Sequence, residues 1–252
     1  DFARSYLDDD DYLVSSDLAG SLDFLYLVTS GETFWDEIKE YNKEYFQKLF
    51  DRLGWEKKEG EKHTTALLRS LVIGSLGRLG DEEILKEAKR RFNEFLKNPD
   101  SLHPDLRCMV YSLVGWSGDN KTYVILLQQF RKSTMQEEKL RFLGALSTFQ
   151  DEKLLARALK FALTKEVRSQ NLHLPIMRVA ANPYGRNLVW PWIKKNWKQI
   201  VKKFGTGSPL INRVISTVSV VYDSKKEPEI RRFFKQHHTP GTEMKLAQTI
   251  ER

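Results

Sequence analysis

Apolar residues recur at steps of three or four along nearly the whole of this 252-residue chain. This spacing places them on one face of an α-helix, whereas a half-buried β-strand would alternate apolar and polar residues. In one segment, the stripe is formed by Phe34, Ile38, Tyr41, Tyr45 and Leu49. No pair of segments shows convincing strand alternation. The sequence therefore predicts an all-α fold.

Capping residues and helix-stop signals divide the pattern into separate helices. The predicted helices lie near residues 17–29, 33–53, 61–79, 81–98, 105–116, 120–131, 136–148, 151–164, 170–181, 185–204, 208–222, 226–236 and 241–251. Pairing them gives units roughly 30–45 residues apart, a spacing typical of two-helix solenoid repeats. We predict an irregular acidic lead-in over residues 1–16 and a single domain over 17–252.

The glycine-rich stretch GSLGRLGD, residues 74–81, could be taken for a phosphate-binding loop. Such a loop follows a strand and opens a helix, with glycines at set positions. Here a predicted helix precedes the glycines, and neither known phosphate-loop spacing is present. We predict that Gly74 and Gly77 allow a neighbouring helix to approach closely, that Gly80 ends one helix and that Asp81 caps the next.

The net charge of +7 is unevenly distributed. Residues 184–235 carry twelve Lys or Arg and three Asp or Glu, whereas residues 1–60 carry fifteen acidic and seven basic residues. Such asymmetry can steer an anionic partner or orient a docking event. No segment approaches the roughly 18 unbroken apolar residues of a membrane span. Because the chain lacks an initiator Met and a signal-peptide pattern, we expect a fragment of a longer polypeptide.

No motif for catalysis or metal binding is present. None of the five histidines has the H-E-x-x-H spacing that places two imidazoles on one helix face around zinc, and no G-x-S-x-G occurs. The single cysteine, Cys108, excludes an internal disulfide and is either a buried inert thiol or a reactive one. We therefore predict no catalytic residue and no metal ligand in this chain.

The most basic segment is the predicted helix WPWIKKNWKQIVKKF, residues 190–204. Its Trp190, Ile193 and Trp197 form an apolar face at helical spacing, and five lysines lie mostly around the other side. Three interpretations remain open. The segment could be a core-packed helix with a solvated basic face, a binding surface for carboxylates or an acidic protein, or a nucleic-acid surface without a recognised motif.

Three separated blocks of the chain carry a resemblance to a known family. They are FDRLGWEKKEGEKHTTALLRSLVIGSLGRLGDEEILKEAKRRFNEFL at residues 50–96, STMQEEKLRFLGALSTFQDEKLLARALKFAL at 133–163 and ANPYGRNLVWPWIKKNWKQIVKKFGTGSPLINRV at 181–214. In this order they resemble the C-terminal helical domain of the gluzincin zinc aminopeptidases. That family includes puromycin-sensitive aminopeptidase, aminopeptidase N, the endoplasmic-reticulum aminopeptidases and the archaeal tricorn-interacting factors. The resemblance covers roughly residues 17–236.

The resemblance implies a HEAT- or armadillo-like superhelical solenoid of antiparallel helix pairs. In the family this domain caps a separate N-terminal catalytic domain and encloses the substrate chamber. The catalytic domain carries the H-E-x-x-H zinc motif, a further glutamate ligand and a Gly-x-Met-Glu-Asn segment, none of which occurs here. We expect the chain to be inactive alone, with zinc held by the missing catalytic domain. Its expected partners are that domain of the same polypeptide and the peptide substrate.

The resemblance also points to residues that could contact a peptide. By resemblance Tyr26, in YLVTSGETFWDEI at residues 26–38, matches a family segment with a peptide-contacting tyrosine, although a Tyr on a packed helix is the simpler explanation. Arg178 and Arg213 lie in otherwise apolar helical patterns. They could face the chamber and favour a peptide's C-terminal carboxylate, or each could pair with an acid between helices.

A free-standing helical-repeat module that binds an acidic protein or nucleic acid is the alternative function, motivated by the basic stretch. Nucleic acid is the weaker of the two partners, because no recognised motif accompanies the charge. A third possibility, a small independent enzyme, is not supported by any catalytic motif in the sequence. We predict a cytoplasmic location, because the chain most resembles the puromycin-sensitive and tricorn-associated members.

Overall fold

The computed structural model describes residues 3–7, 11–205, 207–220 and 226–250, and most of this part is helical. Within these ranges there is no β-strand, which confirms the predicted all-α class. The α-helices of the described residues are α1 Tyr12–Val28, α2 Trp35–Leu53, α3 His63–Arg78, α4 Glu82–Lys97, α5 Pro104–Trp116, α6 Asn120–Lys132, α7 Gln136–Ala145, α8 Glu152–Ala162, α9 His173–Ala180, α10 Arg186–Phe204, α11 Leu210–Ser216, α12 Glu227–Gln236 and α13 Glu243–Ile250. Short 3-10 turns lie at Ala3–Tyr6, Pro99–Ser101, Ser169–Asn171 and Thr217–Val220.

Local capping chemistry sets many of these boundaries. The carboxylate of Asp81 accepts a hydrogen bond from the backbone N–H of Ile84 at 3.1 Å, which satisfies a free donor at the start of α4. Just before it, Gly80 has φ of +82°, a conformation that ends α3 without the clash a Cβ would cause. Asp119 caps α6 in the same way, at 2.9 Å from the backbone nitrogen of Thr122. The predictions for Gly80 and Asp81 are confirmed.

The two largest differences between predicted and observed helix boundaries are at α1 and α11. Helix α1 begins at Tyr12 rather than at residue 17, because Asp11 accepts a hydrogen bond from the backbone N–H of Leu13 at 2.7 Å. The helix predicted over residues 208–222 ends at Ser216 and continues as a 3-10 turn to Val220. Residues 221 and 222 lie outside the described ranges.

The chain divides into two compact units, residues 1–118 and 119–252. In the first unit α3 is central and packs against α1, α2, α4 and α5. It is therefore buried on most of its circumference, and Val72, Ile73 and Leu76 have no accessible surface. A Cβ at Gly77 would lie 2.5 Å from Cδ2 of Leu113 on α5. The predicted close approach of a neighbouring helix is thus confirmed at Gly77.

In the second unit α9 holds the central place and packs against α7, α8, α10 and α11. Helix α10 buries its apolar face, with Ile193 and Ile200 fully covered. Its Trp190 and Trp197 make edge-on contacts with Phe233 of α12, at ring-centroid distances of 5.3 and 6.0 Å. Such aromatic pairs add about 0.5–1.5 kcal/mol each beyond area burial. This aromatic contact ties the basic helix to the core.

Alternate helices contact one another within each unit. In the first unit α3 touches both α1 and α5, and in the second α9 touches both α7 and α11. Stacked antiparallel helix pairs give this pattern, because the first helix of each pair contacts the first helix of the next pair. The solenoid arrangement is consistent with these contacts, and a single solenoid domain over residues 17–252 stays a prediction.

Candidate functional site

Tyr26 lies in the core at the junction of α1 and α2. Its residue surface is 6% exposed, and its ring stacks on that of Trp35 with centroids 4.8 Å apart. The indole N–H of Trp35 also donates to the backbone carbonyl of Tyr26 at 2.7 Å. The two residues therefore fasten the end of α1 to the start of α2, and little of Tyr26 is accessible to a peptide in this conformation.

Arg178 lies on α9, half-buried against α7. A Cβ built on Gly144 of α7 would stand 2.8 Å from Cζ of Arg178 and 2.9 Å from its Nε. The guanidinium thus covers the α7 backbone at a position where only glycine leaves enough space. This contact holds the guanidinium end of the Arg178 side chain against α7.

Arg213 projects from α11 and is exposed. Its Nη1 donates to Nε2 of His173, at the start of α9, over 2.9 Å. A guanidinium can only donate, so this ring nitrogen must carry a lone pair. Burial of His173 and the nearby charge of Arg213 both lower the pKa of the imidazole. Arg213 therefore joins α11 to the start of α9 through a neutral histidine and not through an acid.

The His173–Arg213 contact makes stability depend on pH. Because the folded-state pKa of His173 is lowered, its contribution is present above its unfolded pKa of 6.5 and is lost as the pH falls below that value. One such proton can change the free energy of unfolding by at most about 1.4 kcal/mol per pH unit. We expect His173→Gln, which still offers an acceptor, to unfold with a flatter pH dependence than wild type. Urea denaturation from pH 7.5 to 5 measures this, and equal slopes would contradict it.

The three predicted residues do not form one described cluster. Tyr26 belongs to the first unit, and Arg178 and Arg213 belong to the second. Within the second unit, Arg178 lies on α9 and contacts α7, whereas Arg213 lies on α11 and contacts His173 at the start of α9. Helix α9 therefore carries one cation itself and holds the other through His173.

Two lysines of the basic helix α10 are engaged by the protein itself. Lys194 pairs with Glu229 of α12, and this contact, with a weaker bond from the Trp190 indole, lowers the pKa of the Glu229 carboxyl. The ammonium of Lys203 donates to the backbone carbonyl of Val167 at 2.6 Å, and burial lowers its pKa. The apolar face of this helix packs in the core, as the first interpretation expected, whereas Lys194 and Lys203 bind groups of the chain itself instead of being solvated.

Three other lysines of α10 point outward. Lys195, Lys198 and Lys202 are exposed and lie at steps of three and four, on one side of the helix. They make no hydrogen bond or ion pair with any described residue. They form the part of the basic helix that is available to an external anion.

The described ranges hold no group of three or more His, Cys, Asp or Glu side chains placed to bind a metal ion. Cys108, on α5, is partly exposed. No described helix combines the length and apolarity that a bilayer crossing needs.

Packed helices, with no strand among the described residues, define an all-α class of domain. The chain belongs to the ERAP1-like C-terminal domain family, whose model matches residues 1–252. This match confirms the resemblance drawn from the three sequence blocks.

The curated relatives are aminopeptidases. Aminopeptidase M1-C of Oryza sativa subsp. japonica is 38% identical over 220 residues, which cover 83% of this chain and 25% of the relative. Aminopeptidase M1-D of the same organism is 34% identical over 252 residues, covering 97% of this chain and 28% of the relative. Aminopeptidase M1 of Arabidopsis thaliana is 36% identical over 221 residues, which cover 85% of this chain and 25% of the relative. The chain thus spans about a quarter of the length of these relatives.

Proposed function

We propose that this chain is the non-catalytic C-terminal domain of a zinc aminopeptidase, in which it caps the catalytic domain and helps to enclose peptide substrates. The observation that carries the proposal is the family match over residues 1–252, together with aminopeptidase relatives of which the chain covers about a quarter. Zinc, the general base and the recognition of the substrate's amino end would all belong to the preceding part of the parent polypeptide. The chain alone would be inactive.

An exposed apolar surface on the first unit favours a partner domain. Phe24 and Val28 of α1 are 57% and 36% exposed, and Phe34, just before α2, is 47% exposed. Phe24 and Val28 lie one turn apart on the same face of α1, and exposed apolar side chains of this kind are typical of interfaces. We assign this surface to the preceding part of the parent polypeptide, because the relatives are about four times longer than the chain.

Arg178 and Arg213 are the proposed contacts for the C-terminal carboxylate of a long peptide. Both are cations held near central helix α9, and a charge-assisted hydrogen bond to a carboxylate contributes about 1.5–3 kcal/mol. Tyr26 remains a proposed peptide contact, but its contact area with a peptide would be small because only 6% of its surface is accessible. We propose a cytoplasmic location, on the resemblance to the puromycin-sensitive kind. One relative is named a mitochondrial aminopeptidase of Saccharomyces cerevisiae.

We expect Arg178→Gln and Arg213→Gln, each in the parent enzyme, to raise the KM of long peptides roughly tenfold and leave single-residue aminoacyl reporters unchanged. The reporter is too short to reach this domain, whereas a long peptide would lose one charged contact. Steady-state kinetics with peptides of increasing length measure the effect. Lys153→Gln, an exposed cation on α8, is the control. Equal KM changes for reporter and peptide would exclude a carboxylate contact.

The capping role can be tested with separate chains. We would measure zinc content and hydrolysis of aminoacyl reporters and longer peptides for this chain, for the preceding part of the parent, and for the mixture. The proposal predicts no activity in the chain alone and changed cleavage of longer peptides in the mixture. Stoichiometric zinc with peptidase activity in the chain alone would contradict it.

A second candidate is a free-standing module that binds an acidic protein or nucleic acid. The exposed stripe of Lys195, Lys198 and Lys202 on α10 favours it. Three unpaired cations would give binding that weakens steeply as salt rises. Lys194 and Lys203 are already used within the chain, which leaves a smaller charged surface than the sequence suggests. Failure to bind a polyanion at low ionic strength would exclude this function.

A further inference from the structure

Three helices of the second unit, α6, α8 and α10, lie side by side. Helix α6 contacts α8 through the rings of Phe130 and Phe161, whose centroids are 5.4 Å apart. The segment that follows α8 contacts α10, because the Lys203 ammonium donates to the backbone carbonyl of Val167 at 2.6 Å. The order across this side of the unit is therefore α6, α8, α10.

Each of these helices has one exposed stripe, because its other side is buried in the unit. The exposed side chains recur at steps of three or four, which places them on one side of a helix. The stripes include lysines that form no ion pair or hydrogen bond with a described residue. We name six of them the basic face: Lys121 and Lys132 on α6, Lys160 on α8, and Lys195, Lys198 and Lys202 on α10.

Few carboxylates oppose this charge. Fourteen Lys or Arg and four Asp or Glu occur in the three helices, their caps and the segment after α8, at residues 119–132, 151–168 and 186–204. Asp119 and Asp151 cap α6 and α8, and Glu166 accepts two hydrogen bonds from an arginine of α6 at 2.7 and 2.8 Å. The fourth acid, Glu152, is exposed beside Lys153, and Lys153 is left out of the basic face for that reason.

The residue types of the basic face favour a lipid bilayer over other anionic partners. Lysine is depleted in protein–protein interfaces, and it lacks the planar fork with which arginine binds bases and carboxylates. Single-stranded nucleic acids also stack on aromatic rings, whereas Tyr123, Trp190 and Trp197 are buried and at most 4% exposed. Clusters of about four to eight Lys or Arg residues are typical of surfaces that bind anionic lipid head groups.

Apolar side chains lie within the basic face. Val124 and Ile125 of α6 are each 37% exposed and stand between Lys121 and Lys132 on the same side of the helix. Apolar side chains set among basic ones pack at the boundary between lipid head groups and acyl chains. Neighbouring helix axes lie about 8–10 Å apart, so the three helices spread the cations over a width of about 20 Å. Charges spread in two dimensions match a bilayer surface more closely than one extended chain.

We propose that the basic face binds the surface of a bilayer that contains anionic phospholipids, with its ammonium groups among the head groups and Val124 and Ile125 at their inner edge. The contact is peripheral and reversible, because each cation near an anionic surface strengthens binding only about fivefold. This inference does not rest on the aminopeptidase role, since lipid binding is measured without peptide hydrolysis.

The test is co-sedimentation of the 252-residue chain with vesicles at low ionic strength. Vesicles of phosphatidylcholine mixed with phosphatidylserine should bind the chain, vesicles of phosphatidylcholine alone should not, and added salt should release the bound chain. Polyglutamate and duplex DNA are the competing ligands. The proposal would be overturned by equal binding of the two kinds of vesicle, by no binding to either, or by tighter binding of polyglutamate or DNA.

Two double variants separate the basic face from net charge. Lys195→Gln/Lys198→Gln should weaken binding to the anionic vesicles about 25-fold, at about fivefold for each lysine. Lys89→Gln/Lys97→Gln removes two exposed lysines of α4 in the first unit and changes the net charge equally, so it should bind like wild type. All four side chains are exposed, so both variants should fold. Equal losses of binding in the two variants would contradict the assignment.

Discussion

Replacing Arg69 with methionine is expected to lower the free energy of unfolding by about 3–5 kcal/mol. The side chain of Arg69 is 3% exposed and that of its partner Glu61 is 7% exposed. Its Nη1 donates to Glu61 at 2.6 Å, and its Nε and Nη2 both donate to the backbone carbonyl of Leu53 at 3.2 Å. One guanidinium thus joins the end of α2, the following turn and α3. Methionine fills similar space and leaves a buried carboxylate without its cation.

Urea denaturation measures the loss, and pH identifies its cause. The hydrogen bond from Arg69 lowers the pKa of Glu61 from 4.5 to about 2. The wild-type contribution is therefore present above pH 4.5 and is lost as the pH falls toward 2. Arg69→Met should lose much less stability over this range.

Two further variants control for charge and exposure. In Glu61→Gln/Arg69→Met the unpaired carboxylate is removed, so the loss should be smaller than the sum of the two single changes. Arg90 on α4 is 51% exposed and pairs with Glu87 and Glu94, so solvent screens these pairs and Arg90→Met should destabilise the chain far less than Arg69→Met. A loss below 1 kcal/mol in Arg69→Met would show that the buried pair is not what holds these segments together.

Gly77→Val is expected to destabilise the chain by about 2–3 kcal/mol. A Cβ at this position would lie 2.5 and 2.7 Å from the two methyl carbons of Leu113, which is itself 1% exposed and has no free space to enter. Forcing atoms into a packed helix contact costs about 1–3 kcal/mol, and a β-branched side chain adds a lower helix propensity. The midpoint of urea unfolding is the measurement.

Alanine at two glycines of the same helix provides the matched comparison. At Gly74 a Cβ would make an ordinary contact, 3.5 Å from Cγ of Met109. Gly74→Ala should therefore stabilise the chain by up to about 1 kcal/mol through helix propensity alone. Gly77→Ala gains the same propensity and meets Leu113, so it should be the less stable of the two. Equal stabilities would mean that α3 and α5 can separate at this point without cost.

The helices were predictable because their signals are local. Asp81 and Gly80 cap and end neighbouring helices by backbone chemistry that acts within four residues. The start of α1 was misplaced because residues 8–11 are all aspartates, and the sequence does not show which of them caps a helix. The structure selects Asp11.

The site was less predictable because its contacts join distant parts of the chain. His173 and Arg213 are 40 residues apart, and the sequence around each residue does not indicate that the imidazole accepts a hydrogen bond from the guanidinium. Tyr26 matched a family segment, yet its stacking on Trp35 places it in the core.

The sequence by itself determined the all-α class and the order of the helices. The three blocks at residues 50–96, 133–163 and 181–214 also determined the family resemblance. Helical periodicity repeats every 3.6 residues, so each segment of the sequence contains enough residues to show it. Only the tertiary structure decided which charges are neutralised within the chain. Arg69 is enclosed with Glu61, whereas Lys195 is left in solvent, although both lie on helices with apolar neighbours. That difference depends on which helix packs opposite each residue, and no local pattern contains it.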